Sequence, residues 1–303
     1  MWWPPWAPGE ARGAAVCGSV MSLSAVGYAV VAAICLALAS ALQHQAASGE
    51  EGYRGGLHLV WRLVQRRRWL IGLAVALAGT LLHAAALRSG ALVVVQPVLV
   101  MGVAVALPIR AMLERARPAA GQVAAAAMLA AGVALFVLSA RPSGGQSAPD
   151  AGAAAVVIAA GVVAAGVGSV VALKTTSGAV AGFALGLAAG ILYGVIGGVL
   201  KAAVHALHDP LSLLTGWPLW TLAVLGAWAF IMHQRAYAHG PLGVSLPALS
   251  VASPLAGMFF GILVFQEIPA SGSLALVGEV LGLAVMVVSV MLLARPTGRT
   301  TTA

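Results

Sequence analysis

Nine apolar stretches, near 23–42, 70–88, 91–112, 121–140, 152–173, 180–200, 218–234, 241–265 and 273–294, divide this chain almost end to end. Each approaches the roughly 20 residues that an α-helix needs to cross a hydrocarbon layer. Hydrocarbon offers no partner to a free backbone N–H or C=O, so such segments must be helical. Composition excludes the soluble alternative: 61% of residues are hydrophobic and only 8% are charged. A soluble domain uses about a quarter of its residues as charges to cover its surface. The expected class is an all-α integral membrane protein with nine transmembrane helices.

The net charge of +8 has a topological explanation. With the N-terminus outside, segments facing the inside hold twelve of the sixteen Lys and Arg residues, among them Arg66, Arg67 and Arg68; segments facing outward hold four. The positive-inside rule therefore favours N-terminus out and C-terminus cytoplasmic, and no nucleic-acid partner is needed to account for the charge. The heavy use of alanine, glycine and arginine suits a bacterial inner membrane. Trp69, Trp217 and Trp220 stand at span starts, as interfacial aromatics do. The stretch 45–68 is too polar to span; HLVWRLV (58–64) followed by three arginines reads as a short basic interfacial helix or as an irregular loop.

The sequence repeats itself. HAAALRSGALVVVQP (83–97) and HQRAYAHGPLGVSLP (233–247) share His, Ala, Gly, Leu and Pro at a constant offset of 150. RPAAG (117–121) resembles IPASG (268–272), and both copies end in Ala-Arg-Pro, at 140–142 and 294–296. A stripe of Ala25, Ala29, Ala33, Ala37 and Ala41 falls at an offset of 157 on Gly182, Gly186, Gly190, Gly194 and Gly198. Small residues at every fourth position let helix backbones approach closely, the packing that drives association in lipid. Spans 1–4 (21–142) thus match spans 6–9 (180–296), with span 5 (151–173) as a connector. A single connecting span inverts the second copy, giving two inverted-topology four-helix repeats, the plan of many secondary transporters.

No P-loop, HExxH or GxSxG motif occurs, and an enzyme is not expected. Cys17 and Cys35 are too few for a disulfide framework or a metal site. No cofactor and no bound metal are expected. Polar side chains inside spans are costly and become functional candidates by default. His83 and His233, related by the repeat, either bind substrate and relay protons or make interhelical hydrogen bonds. Gln96, before Pro97, either presents an amide to a cavity or bonds a neighbouring helix. Tyr193 lines a path or fills the core. Ser250, with Ser245 and Ser253 beside Pro247 and Pro254, faces a cavity or bonds its own helix. Glu279, about two turns into span 9, either couples transport to protons or pairs structurally. Lys201 is expected to snorkel to the outer headgroups, and Glu267 to cap the start of span 9.

The runs QPVLV…LPIRAMLERARP (96–118) and LPALSVASPLAGMFFGILVFQEIP (246–269), with the helix endings before Arg-Pro, resemble the drug/metabolite transporter superfamily with EamA-type repeats. The resemblance covers Met21 to Pro296. Family members usually have ten helices; nine here resembles the NIPA-like magnesium transporter branch. The resemblance implies a central cavity between the halves and alternating access, with organic metabolites or ions as substrate classes. The expected function is a secondary transporter of small organic solutes or metabolites, with membrane lipid and a second copy of the chain as candidate partners. Two alternatives remain: divalent-cation (Mg²⁺) transport, and a non-transporting membrane scaffold.

Residues 1–20 are expected to be a disordered tail, and 297–303 a C-terminal tail. Met21 directly precedes the first span, which suggests an over-extended start. Mass spectrometry of the expressed protein should then yield no peptide from residues 1–20; a single such peptide refutes the later start.

Overall fold

The structure, a computed structural model, describes residues 23–48, 65–114, 117–140, 142, 145, 148–208, 214–239, 242–268 and 272–294. Both tails and the proposed interfacial helix at 58–64 lie outside these residues. The main helices are α1 (Leu23–Ser48), α2 (Arg67–Ser89), α3 (Leu92–Leu99), α4 (Met101–Glu114), α5 (Ala120–Ala140), α6 (Ala151–Lys174), α7 (Gly178–His205), α8 (Trp217–His239), α9 (Leu242–Val264) and α10 (Ser273–Leu293). Among the described residues, eight segments are long and apolar enough to cross a membrane, with α3 and α4 together making one of them (Leu92–Ile109). The chain is an all-α, multi-pass membrane protein.

α8, with 23 residues, stands where the expected span at 218–234 lies, but three tryptophans, Pro218, His233 and Gln234 make it less apolar than those eight. The third span is not one continuous helix: it breaks at Val100, three residues past Pro97.

Lipid-facing surfaces are recognisable by bulk. Leu77, Leu81, Val156, Val163 and Leu274 are all more than 60% exposed, a pattern that only hydrocarbon can cover at this density. Inward faces are built from small residues instead. α7 lies at the centre and packs on α6, α8 and α9. A β-carbon at Gly186 would sit 2.5 Å from the Ser245 carbonyl oxygen, and one at Gly190 would sit 2.6 Å from that of Leu249. Gly194 meets the Ser253 carbonyl and Gly198 meets the Phe260 ring. The glycine stripe of α7 is therefore a seam that holds α9 at backbone contact. Partners rise together along both chains, so α7 and α9 run parallel.

The alanine stripe has a corresponding role. Ala25, Ala29, Ala33 and Ala37 are buried in α1, with Ala25 against Gly90 and the Ala33 carbonyl 3.3 Å from the β-carbon position of Gly102. A third seam joins α5 to α10, where β-carbon positions of Gly132 and Gly282 lie 3.1 and 2.8 Å from the Met286 and Phe136 amide nitrogens.

Gly90 fixes relative direction. It lies against Ala25 near the start of α1, while Lys201 near the end of α7 donates to its carbonyl. The start of α1 and the end of α7 share one end of the bundle, so these two helices run in opposite directions.

Two classes of glycine substitution should separate by sign. Gly190→Ala forces apart two backbones and should cost about 1–3 kcal/mol. Gly166→Ala, whose β-carbon meets nothing within 4 Å, should be neutral or gain up to about 1 kcal/mol. Thermal unfolding of the purified variants in detergent measures both.

Candidate functional site

The helices that bracket the seams leave a cavity of about 600 Å³ between them. Residues of α1 to α5 form one side and residues of α7, α9 and α10 the other. Pro254 of α9 sits in its wall, and Pro97 of α3 follows the lining residue Gln96. Proline has no N–H to donate, so the carbonyls four residues earlier, at Val93 and Ser250, lose their usual helical partner. Such breaks survive in membranes where protein or a cavity lies alongside.

His83, Gln96, Tyr193 and Ser250 all line this cavity. Gln96 is only 3% exposed and occupies a slot left by two glycines. A β-carbon at Gly257 would lie 2.6 Å from Gln96 Cγ, and one at Gly197 would overlap its amide. Among the described residues, Gln96 Nε2 and His83 Nε2 are buried and make no hydrogen bond. Three further polar side chains join the lining without having been singled out in the sequence: Ser40, Thr80 and Gln122. Ser40 and Thr80 interrupt otherwise apolar spans, which is the signal that marks them.

The other candidates stand elsewhere. His233, on α8, does not line the cavity; it stands behind Tyr193, with Nδ1 3.3 Å from the tyrosine hydroxyl and the two rings edge to face at 5.8 Å. His83 and His233 thus occupy different layers. Glu279 is buried in α10, next to Gly278 at the seam with Ser139 of α5, and does not line the cavity either.

Lys201 and Glu267 are corrections with a shared reason. Lys201 does not snorkel: its side chain is 9% exposed and pairs with Glu267, which is 2% exposed. Glu267 does not cap the ninth span. Its two carboxylate oxygens accept from Leu92 N and Val93 N, each at 2.9 Å, and so cap α3. Ala91 at the cap position supplies no side-chain bond. A carboxylate at the amide end of a helix gains from both hydrogen bonding and the helix dipole.

Local structure aims these groups inward. After α9 the chain turns back through Gln266, whose φ of 52° is left-handed, and Glu267 N donates to Gly261 O at 3.1 Å. Gly261 has no side chain to obstruct the carboxylate; a β-carbon there would lie 2.6 Å from Glu267 Oε2. Lys201 Nζ also donates to Gly90 O at 3.2 Å and lies 4.8 Å from the centre of the Phe265 ring. α3, α7 and the turn after α9 are thereby tied at one end of the bundle. The cavity begins just beneath this knot, at Leu200 and Gln96, and runs toward the opposite end, where Gln122, Leu246 and Leu293 line it.

No family model matches the chain, and no solved structure matches it. A protein of Corynebacterium glutamicum described as uncharacterized is 28% identical over 251 residues, covering 81% of this chain and 86% of that protein. The likeness therefore extends over most of both chains.

Breaking the buried pair from one side should be severe. Lys201→Met leaves the Glu267 charge without its cation and should cost about 3–5 kcal/mol, whereas the double change Lys201→Met with Glu267→Gln should recover part of that loss. Paired thermal unfolding curves in detergent test the difference; equal losses in the single and double variants would contradict a coupled pair.

Proposed function

We propose that the chain is a secondary transporter, not an enzyme, which carries small organic solutes by alternating access and belongs to the drug/metabolite transporter superfamily. One observation carries the reading: a cavity bounded by both halves lies under a polar knot at one end and extends to the other. A scaffold has no need of such a hollow, and His83 and Gln96 share it, although His233 stands outside it.

The inverted repeat gains support from packing. α1 packs on α2 as α7 packs on α8; the alanine stripe of α1 meets α3 and α4 as the glycine stripe of α7 meets α9. The opposed directions of α1 and α7 fit the same plan. In this reading the end that carries Arg66, Arg67 and Arg68 is cytoplasmic, the C-terminus is inside, and the described conformation faces inward. The Lys201–Glu267 pair closes the outer end, and its separation would release the start of α3 together with Gln96. Magnesium transport is the weaker alternative, because Mg²⁺ favours carboxylate and water oxygens and no Asp or Glu is among the described residues lining the cavity.

Accessibility tests the reading without knowing the substrate. Ser250→Cys, in a background with Cys17 and Cys35 replaced by alanine, should react with a membrane-impermeant maleimide from the cytoplasmic side. Adding Lys201→Met should make the same cysteine react from the outside. Equal reactivity from both sides, or none from either, would overturn alternating access. Flux of a metabolite panel into proteoliposomes, with and without a pH gradient, would then identify the cargo and its coupling.

A further inference from the structure

We propose that the cavity takes an uncharged, mainly apolar organic molecule bearing a hydrogen-bonding group such as a carbonyl, amide or hydroxyl. The proposal rests on the carrier reading and sharpens it to a substrate class. Its first support is the distribution of charge at membrane depth. Lys201 and Glu267 neutralise each other outside the cavity, and Glu279 sits on α10 away from it. The described lining contains no Asp, Glu, Lys or Arg. A charged solute would therefore leave water for a low-dielectric chamber without a counter-charge, which is strongly unfavourable.

The second support is the slot around Gln96. Gly197 and Gly257, from two different helices, clear the space that its amide fills. The amide nitrogen is nevertheless left without a partner among the described residues, as is His83 Nε2 on the facing helix α2. Both side chains contribute to the lining. Buried polar atoms without partners carry a penalty that a ligand oxygen would relieve. Apolar walls for most of the contact and a few placed polar groups for orientation are the usual composition of a small-molecule site, and about 600 Å³ lies within the usual size.

A series of the same chain length provides the test: 4-phenylbutanamide, 4-phenylbutanoate and the 4-phenylbutylammonium ion, each titrated against the detergent-purified full-length protein by thermal stabilisation and by direct binding. The amide should bind at least about tenfold more tightly than either ion. Gln96→Leu should weaken the amide by up to about tenfold. Gln96→Glu, of nearly the same shape, should move the preference to the ammonium ion, and Ser250→Asp should do so independently if the first variant does not fold. Wild-type binding of either ion as tightly as the amide would overturn the proposal, as would binding of no member or unchanged preference in both acidic variants. Flux measured on the same series separates the two readings. A carried ion refutes the substrate class and leaves the carrier intact; a bound amide that is never carried does the reverse.

Discussion

Leu92 and Val93 begin a helix whose first amides are sealed from solvent, and hydrocarbon holds nothing that bonds them. Every other feature of the closed end follows from how this need is met. The partner is Glu267, brought from the far end of α9 by a left-handed turn. A carboxylate buried so deeply requires a cation of its own, and Lys201 supplies it from α7. Three helices that are distant in sequence are thus tied at one point. The same tie fixes where α3 starts, hence where Pro97 breaks it and where Gln96 points its amide.

Close packing on some faces is what leaves room on another. The glycine seam of α7 draws α9 to backbone contact, and the Gly132–Gly282 seam does the same for α5 and α10. Helices pinned so tightly at their small faces leave a gap elsewhere, and Pro254 is part of its lining. The cavity occupies that remainder. Its walls are apolar because the spans are, and its few polar groups stand out because so little else can hydrogen-bond there. A solute that enters meets a chamber with orientation but without charge, which connects the packing to the proposed cargo.

Much of this was legible in the residues. Eight of the nine apolar stretches correspond to uninterrupted helices and the other to α3 and α4, since a run of about 20 apolar residues admits little else in lipid. The four-residue spacing of glycine marked the α7 seam before its partner was known. Four of the candidate site residues, His83, Gln96, Tyr193 and Ser250, meet in one cavity because intramembrane polar groups rarely face lipid. The eighth helix was legible as well, although its tryptophans and its His-Gln end leave it less apolar than the others. The partnership of Lys201 and Glu267 was not legible, because each has a sensible local role near the membrane surface. A faint signal existed: the segment SGALVVV (89–95) enters a helix with no Asp, Asn, Ser or Thr at the cap position, so a cap had to come from elsewhere.

The sequence by itself determined the solvent, the helical class and the small-residue faces. These depend on composition and on periods of three to four residues, which act locally along one segment. Only the tertiary structure decided which helix each face meets, that Lys201 pairs with Glu267, that His233 stands behind Tyr193, and that Glu279 lies off the cavity. Those outcomes depend on helix order, rotation and depth across the whole bundle. In lipid, many apolar faces are nearly equivalent until backbone contact and buried charge select among them.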